Sequence, residues 1–172
     1  LLENQGNAQE WAKLIEEMGK DEEAAGDVGR CALYCARSMW LGSVGRPLEG
    51  LAAAQRALSL AQPGPPAQRA AQRLAFAYLP QMQLDAALSA AKRSVYEAAE
   101  VPLLQARSLR VLGLVQLWQQ NPIAVKTLES IPALCRSRGL MTRFPIALHD
   151  QADAYRLNNE VTQAREKYAE TI

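Results

Sequence analysis

Small side chains return at a nearly fixed interval along this chain. Ser38, Ala75, Gly113 and Ala152 are separated by 37, 38 and 39 residues, and Gly50, Ala87, Ala124 and Ala164 by 37, 37 and 40. Members of the first set lie in stretches of helical apolar period, Leu74 to Tyr78 (LAFAY) being the clearest. Members of the second set follow a turn, as in Asp85 to Leu88 (DAAL). A period of this length fits two helices per unit, and one hairpin cannot bury its own apolar face, so the units must stack. The expected fold class is all-α: a right-handed superhelix (α-solenoid) of antiparallel helix hairpins, about four repeats in all.

Punctuation divides the chain accordingly. Residues 1–26 are expected to form a partial repeat, with a turn at Gly6 and a helix carrying Ala8, Trp11, Ala12, Ile15 and Met18 on one side, broken by Gly26 and Gly29. The acidic run Asp21 to Glu23 is read as a solvated helix end. Residues 27–62 form the first complete repeat, with Gly42 and Gly45 at the turn, Pro47 in the first turn of the second helix, and Leu48, Leu51, Ala54, Leu58 and Ala61 on one side of it. Residues 63–101 open on Pro63 to Pro66, and Asp85 is placed to favour a helix N-terminus. Residues 102–141 open on Pro102, offer Asn121 as an N-cap, and hold Pro132 where a kink or an early helix end is expected. Residues 142–172 turn at Asn158 and Asn159 and stop inside a helix. The whole is expected to be one domain cut from a longer chain.

Composition decides what such a stack is made of. At 49% hydrophobic but 6% aromatic, the core must be alanine and leucine. The net charge of +1 offers no global field for nucleic acid or membrane. Its distribution is uneven: residues 1–29 carry eight acids and two bases, residues 30–143 five and fourteen, residues 144–172 five and three. No apolar run approaches the roughly 20 residues of a membrane span. Three cysteines, an odd number, fit a reducing compartment and a cytoplasmic location. Cys31 and Cys35 share a helix face but have neither CxxC spacing nor a nearby histidine to make them a metal or redox pair.

The leucine, small residue and tyrosine at steps of one and three, a turn residue four further on and a small residue five beyond it resemble the tetratricopeptide motif. The resemblance covers nearly the whole chain. Departures are the longer period, Met82 and Gln120 where glycine is usual, and no tryptophan at the motif's first position. The longer, irregular period, and the phrase HDQADAYRLNNEVTQAREKYAE from His149 to Glu170, are similar to the helical-repeat region of large bacterial LuxR/AfsR-type regulators, the maltose-activator class among them. In that family the repeats stand between a nucleotide-binding module and a helix-turn-helix module. No GxxxxGK[ST] occurs in this sequence, so nucleotide hydrolysis is not assigned to it.

The sequence supports no catalytic, cofactor or metal site. His149 is the only histidine, and no serine or cysteine joins it and a carboxylate by spacing. His149 with Asp150 or Asp153 is a common combination on solvated helices. The inner surface is the stronger candidate. In the register above, the leading helices direct Arg69, Gln72 and Phe76, then Arg107, Arg110, Leu114 and Trp118, then His149, Asp153 and Arg156 toward it. Four arginines interleaved with two aromatics suit an acidic amphipathic peptide or a carboxylate-bearing ligand. The alternative is that Phe76 and Trp118 pack between helices and the arginines only solvate. Terminal-carboxylate clamps are disfavoured, since Cys35 and Met39 occupy the matching first-repeat positions. Nucleic acid is disfavoured because the basic residues form no dense stripe.

Three functions follow. The first is a protein-interaction or effector-sensing domain of a larger multidomain, transcription-regulating protein, whose partner is a protein or peptide segment, in the same parent chain or elsewhere, or a small effector. The second is a scaffold repeat in a larger assembly, with no free ligand. The third, a small-molecule or enzymatic domain, is the least supported. Apolar side chains at Leu1, Leu2, Tyr168 and Ile172 predict self-association through the repeat ends.

Overall fold

The computed structural model describes residues 2–20, 22, 24–98 and 100–171, with side chains from Gln9 onward. Nine α-helices account for nearly all of the described residues: α1 (Leu2–Lys20), α2 (Gly26–Ser43), α3 (Pro47–Leu60), α4 (Pro65–Tyr78), α5 (Leu84–Glu97), α6 (Pro102–Trp118), α7 (Ile123–Ser137), α8 (Phe144–Leu157) and α9 (Val161–Ala169). A short 3-10 turn, Leu79–Gln81, follows α4. The fold is all-α, with about four helix hairpins.

Each hairpin is made the same way. α2 packs on α3, α4 on α5, α6 on α7 and α8 on α9. The turn inside every pair holds one residue in the left-handed region: Gly45 (φ 79°), Met82 (55°), Gln120 (54°) and Asn159 (62°). One residue later an amide reaches back five positions, Arg46 to the Leu41 carbonyl (2.8 Å), Gln83 to Tyr78 (3.3 Å), Asn121 to Gln116 (2.9 Å) and Glu160 to Tyr155 (2.9 Å). This is the 6→1 bond of a Schellman C-cap, which satisfies a carbonyl the helix itself leaves open. The four left-handed residues follow the first set of small residues by seven positions each, so the backbone keeps the period even where glycine is absent.

Those small residues are where helices meet. All eight, Ser38, Ala75, Gly113 and Ala152 with Gly50, Ala87, Ala124 and Ala164, are buried. A β-carbon on Gly50 would stand 3.2 Å from the Ser38 carbonyl oxygen, and one on Gly113 would stand 2.5 Å from Leu128 Cδ2. Backbones can approach this closely only over minimal side chains, which is why the interval survives in the sequence.

The described chain falls into two compact units, residues 1–97 and 98–172. In the first, α1 lies on α2, and α4 packs on both α2 and α3. Its core includes Cys31, Cys35, Ala57 and Ala70, flanked by Tyr34 and Leu58. In the second, α8 packs on α7 and touches α6. Leu128, Ile131, Cys135, Ala147 and Ala154 form its core with Leu109 and Phe144 against them. Alanine is the commonest buried apolar residue described in both units, and no described helix is long and apolar enough to cross a membrane.

Several local expectations are corrected. Gly6 makes no turn, because α1 runs unbroken through it; a helix tolerates one glycine at about 1 kcal/mol. The break falls before Gly26, whose φ of 60° opens α2, while Gly29 lies inside that helix. Gly42 is helical too, leaving Gly45 alone at the turn. Leu48 is 72% exposed, and on α1 only Ile15 of the five apolar positions is buried among those described. Asn121 stands one residue before the N-cap, yet its Oδ1 accepts the Ile123 amide at 3.0 Å and so caps α7. α7 does not end at Pro132 but continues to Ser137. Pro132 is buried, and that packing offsets the missing backbone bond. α9 closes at Ala169. Of the four end residues expected to expose apolar surface, Leu1, Ile172 and the Leu2 side chain lie outside the described residues; Tyr168 is half-buried.

Candidate functional site

The leading helices α4, α6 and α8 carry the ten candidate residues, three in the first unit and seven in the second. On α4, Arg69 is exposed while Gln72 and Phe76 are half-buried. Phe76 lines an open pocket of about 150 Å³ bordered by α2, α3, α4 and the turn after α4. Met39, Pro47, Phe76, Ala77 and Pro80 supply apolar walls, and Arg73 is the charged group among the lining residues. Gly42 and Gly50 both line it, and a β-carbon on Gly42 would meet nothing within 4 Å. The cavity can take one medium-sized apolar side chain with an arginine beside it, the arrangement in which an anchor residue of a peptide is held.

Arg73 was not singled out from the sequence, and Met39 entered there only as a residue that disfavours a terminal-carboxylate clamp. Met39 lies 37 residues before Phe76 and occupies the same place in the repeat, which was the available signal. Arg73 lies one helical turn before Phe76, so it shares that face.

In the second unit, Arg110 does not stand free. Its Nε and Nη2 donate to Asp150 Oδ2 and Oδ1 at 2.5 and 3.1 Å, a bidentate pair joining α6 to α8. The Asp150 side chain is only 6% exposed and that of Arg110 41%, so one end of the pair is dry and the other wet. Arg107 and Leu114 are half-buried on the same helix, and Trp118 at its end is 54% exposed.

His149, Asp153 and Arg156 do come together, and α9 joins them. His149 Nδ1 lies 3.5 Å from Asp153 Oδ2, and Arg156 Nη2 lies 3.5 Å from Asp153 Oδ1. The Tyr168 hydroxyl donates to Asp153 Oδ1 at 2.5 Å, and its ring meets the His149 ring edge-on at 5.4 Å. That bond to Asp153, with some burial, raises the Tyr168 pKa. On the neighbouring face Tyr155 donates to Glu129 of α7 and accepts from Gln151 Nε2 at 3.3 Å; burial first, then Glu129, raises its pKa. His149 and Arg156 are exposed. The cluster is a hydrogen-bonded polar surface on which charged partners can be matched. It holds no nucleophile beside a base, and no group of three metal-ligating side chains occurs among the described residues.

The thiols are equally unsuited to chemistry. Cys31, Cys35 and Cys135 are buried. Burial, then the neighbouring Cys31, pushes Cys35 up to about 12, and burial also raises Cys31 and Cys135. A thiol held protonated is neither nucleophile nor metal ligand.

The geometry defines a class: a tetratricopeptide-like helical repeat domain. Solved structures agree on the fold. The nearly identical TPR-like repeats of a kinesin light chain candidate from Podosopora anserina match with a TM-score of 0.73 at 18% identity, over 98% of this chain and 86% of that one. MamA matches at 0.64 and 15% identity, over 98% and 90%. No protein-family model and no curated protein matches the sequence.

Proposed function

We propose that the chain is a protein-interaction repeat domain that holds a peptide segment against its leading helices and performs no catalysis, as one part of a larger regulatory protein. The pocket between α2 and α4 carries the reading. An apolar pocket of about 150 Å³, lined by Met39, Phe76, Ala77 and two glycines and bordered by Arg73, is suited to an apolar anchor followed by a carboxylate. The Arg69, Gln72 and Phe76 face of α4 continues it in the first unit. Arg107, Leu114 and Trp118 on α6, with the His149, Asp153 and Arg156 cluster, offer contacts of the same kind in the second. Arg110 serves there by fixing α8 to α6. The regulator setting rests on the resemblance of His149 to Glu170 to repeats of LuxR/AfsR-type proteins, and a nucleotide-binding module and a helix-turn-helix module encoded beside this segment would support it.

The test is selection of a displayed peptide library on the chain, followed by affinity measurements on Gly42→Leu and Phe76→Ser. Gly42→Leu adds bulk at a lining position where a β-carbon would meet nothing within 4 Å. Enriched peptides pairing a large apolar residue with Asp or Glu, and losing at least tenfold in affinity on Gly42→Leu, are expected. Enriched peptides indifferent to both substitutions would refute the assignment.

A further inference from the structure

Position by position, the second helices α3 and α7 present the same face to solvent. On α3 it carries Glu49, Ala52 and Arg56, and on α7 Ile123, Lys126 and Ser130; all six are exposed. Both helices are packed from two sides, α3 by α2 and α4, α7 by α6 and α8. Stacking therefore leaves this face uncovered. The corresponding residues of α1, 38 before those of α3, are Trp11, Leu14 and Met18. They are 44%, 51% and 43% exposed. The register is secured by Ile15 and Gly19: Ile15 is buried, as is Ala53 at the same place in α3, and Gly19 approaches Arg37 of α2.

Three large apolar side chains thus stand at spacings of three and four where the sister helices are largely polar. Helical spacing puts them in one stripe, with Glu10, Lys13 and Glu17 along one edge of it, two carboxylates to one ammonium. The surrounding sequence is strongly acidic, with eight acids against two bases in residues 1–29. A repeat stacked before α1 would not cover the stripe, because stacking does not cover its equivalents. A second copy would set acid against acid.

We propose that this face of α1 docks a basic amphipathic helix of a partner protein, whose apolar anchors lie on Trp11, Leu14 and Met18 and whose lysines or arginines face Glu10 and Glu17. Apolar anchors at i, i+3 and i+7 supply the contact area, and the acidic edge supplies choice of partner and a salt-dependent on-rate. This surface shares no residue with the pocket between α2 and α4, so the two can be occupied together.

The probe is a fluorescein-labelled 14-residue helical peptide of leucine and lysine with leucine at i, i+3, i+4 and i+7, titrated with the chain and followed by anisotropy. A leucine and glutamate peptide of the same spacing is the control. The expected result is binding at least tenfold tighter for the lysine peptide, weakened at least tenfold by Leu14→Asp and by Met18→Gln, and at least threefold by Glu10→Lys with Glu17→Lys. All these positions are exposed, so helicity by circular dichroism should not change. The proposal is overturned if Leu14→Asp and Met18→Gln leave binding unchanged, or if the glutamate peptide binds as well. It is also overturned if sedimentation shows a dimer that Leu14→Asp dissociates, which would make a second copy the occupant. The α2–α4 pocket assignment survives or fails separately, since Leu14→Asp leaves Gly42-dependent binding intact.

Discussion

Gly113→Ala adds one methyl group to α6 at the point where it crosses α7. The new carbon would stand 2.5 Å from Leu128 Cδ2 and Cγ and 3.3 Å from Cδ1. Leu128 is 0% exposed and packed in the core of the second unit, so it has little room to turn away. Overpacking of this kind costs about 1–3 kcal/mol. Replacing a helical glycine by alanine returns about 1 kcal/mol. The net expectation is a destabilisation of about 1 kcal/mol. Gly42→Ala is the matched control, also inside a helix, where the added carbon meets nothing within 4 Å. It should stabilise by about 1 kcal/mol, so the two variants should stand about 2 kcal/mol apart. Urea unfolding followed by circular dichroism at 222 nm measures both, each read on the transition of its own unit if the two separate. If Gly113→Ala matched or exceeded the stability of Gly42→Ala, α6 and α7 would not meet at the small residues, and the structural meaning of the interval would be lost.

Met82→Gly and Gln120→Gly should each raise stability by about 0.5–1 kcal/mol, because the left-handed backbone costs a non-glycine residue about 1–2 kcal/mol and glycine's extra unfolded-state freedom takes back part of that; thermal melts decide it, and a lowered Tm for both would refute it. Arg110→Ala should destabilise by about 2 kcal/mol by leaving the buried Asp150 carboxylate without its guanidinium, and Asp150→Ala in the same chain should recover part of that loss; equal losses in the single and double variants would deny the coupling. The Tyr34 hydroxyl, then Arg37, holds the Glu22 pKa below its ordinary value although burial opposes them. Its stabilising contribution is therefore present above the unfolded carboxylate pKa and is lost as pH falls through the lower folded one. Wild-type urea midpoints should fall more steeply than those of Glu22→Gln below about pH 4, and parallel curves would contradict this.

The hairpins were legible because close helix approach admits only the smallest side chains, and that requirement writes itself at one position per helix. The turns were partly legible. Met82 and Gln120 hide the glycine signal, yet the Schellman bonds keep the same conformation there. Gly6 misled for the opposite reason, as did the early helix end expected at Pro132, since local propensity is overruled once a helix is long or packed. Trp11 and Met18 looked like core because periodicity finds an apolar face but cannot tell whether anything lies against it. The Arg110 to Asp150 pair spans 40 residues and depends on which faces of α6 and α8 meet, which no spacing rule encodes. Phe76 and Met39 were both placed by their position in the repeat, whereas the pocket that joins them, with Arg73, depends on how α2 and α4 pack.

A peptide anchored between α2 and α4 would cover backbone on both helices, and amide hydrogen exchange of the chain with and without a saturating selected peptide reads that cover residue by residue. Exchange should slow along α2 around Met39 to Ser43 and along α4 around Arg73 to Ala77, and not in Gly42→Leu. Protection confined to other helices, or unchanged by Gly42→Leu, would contradict it.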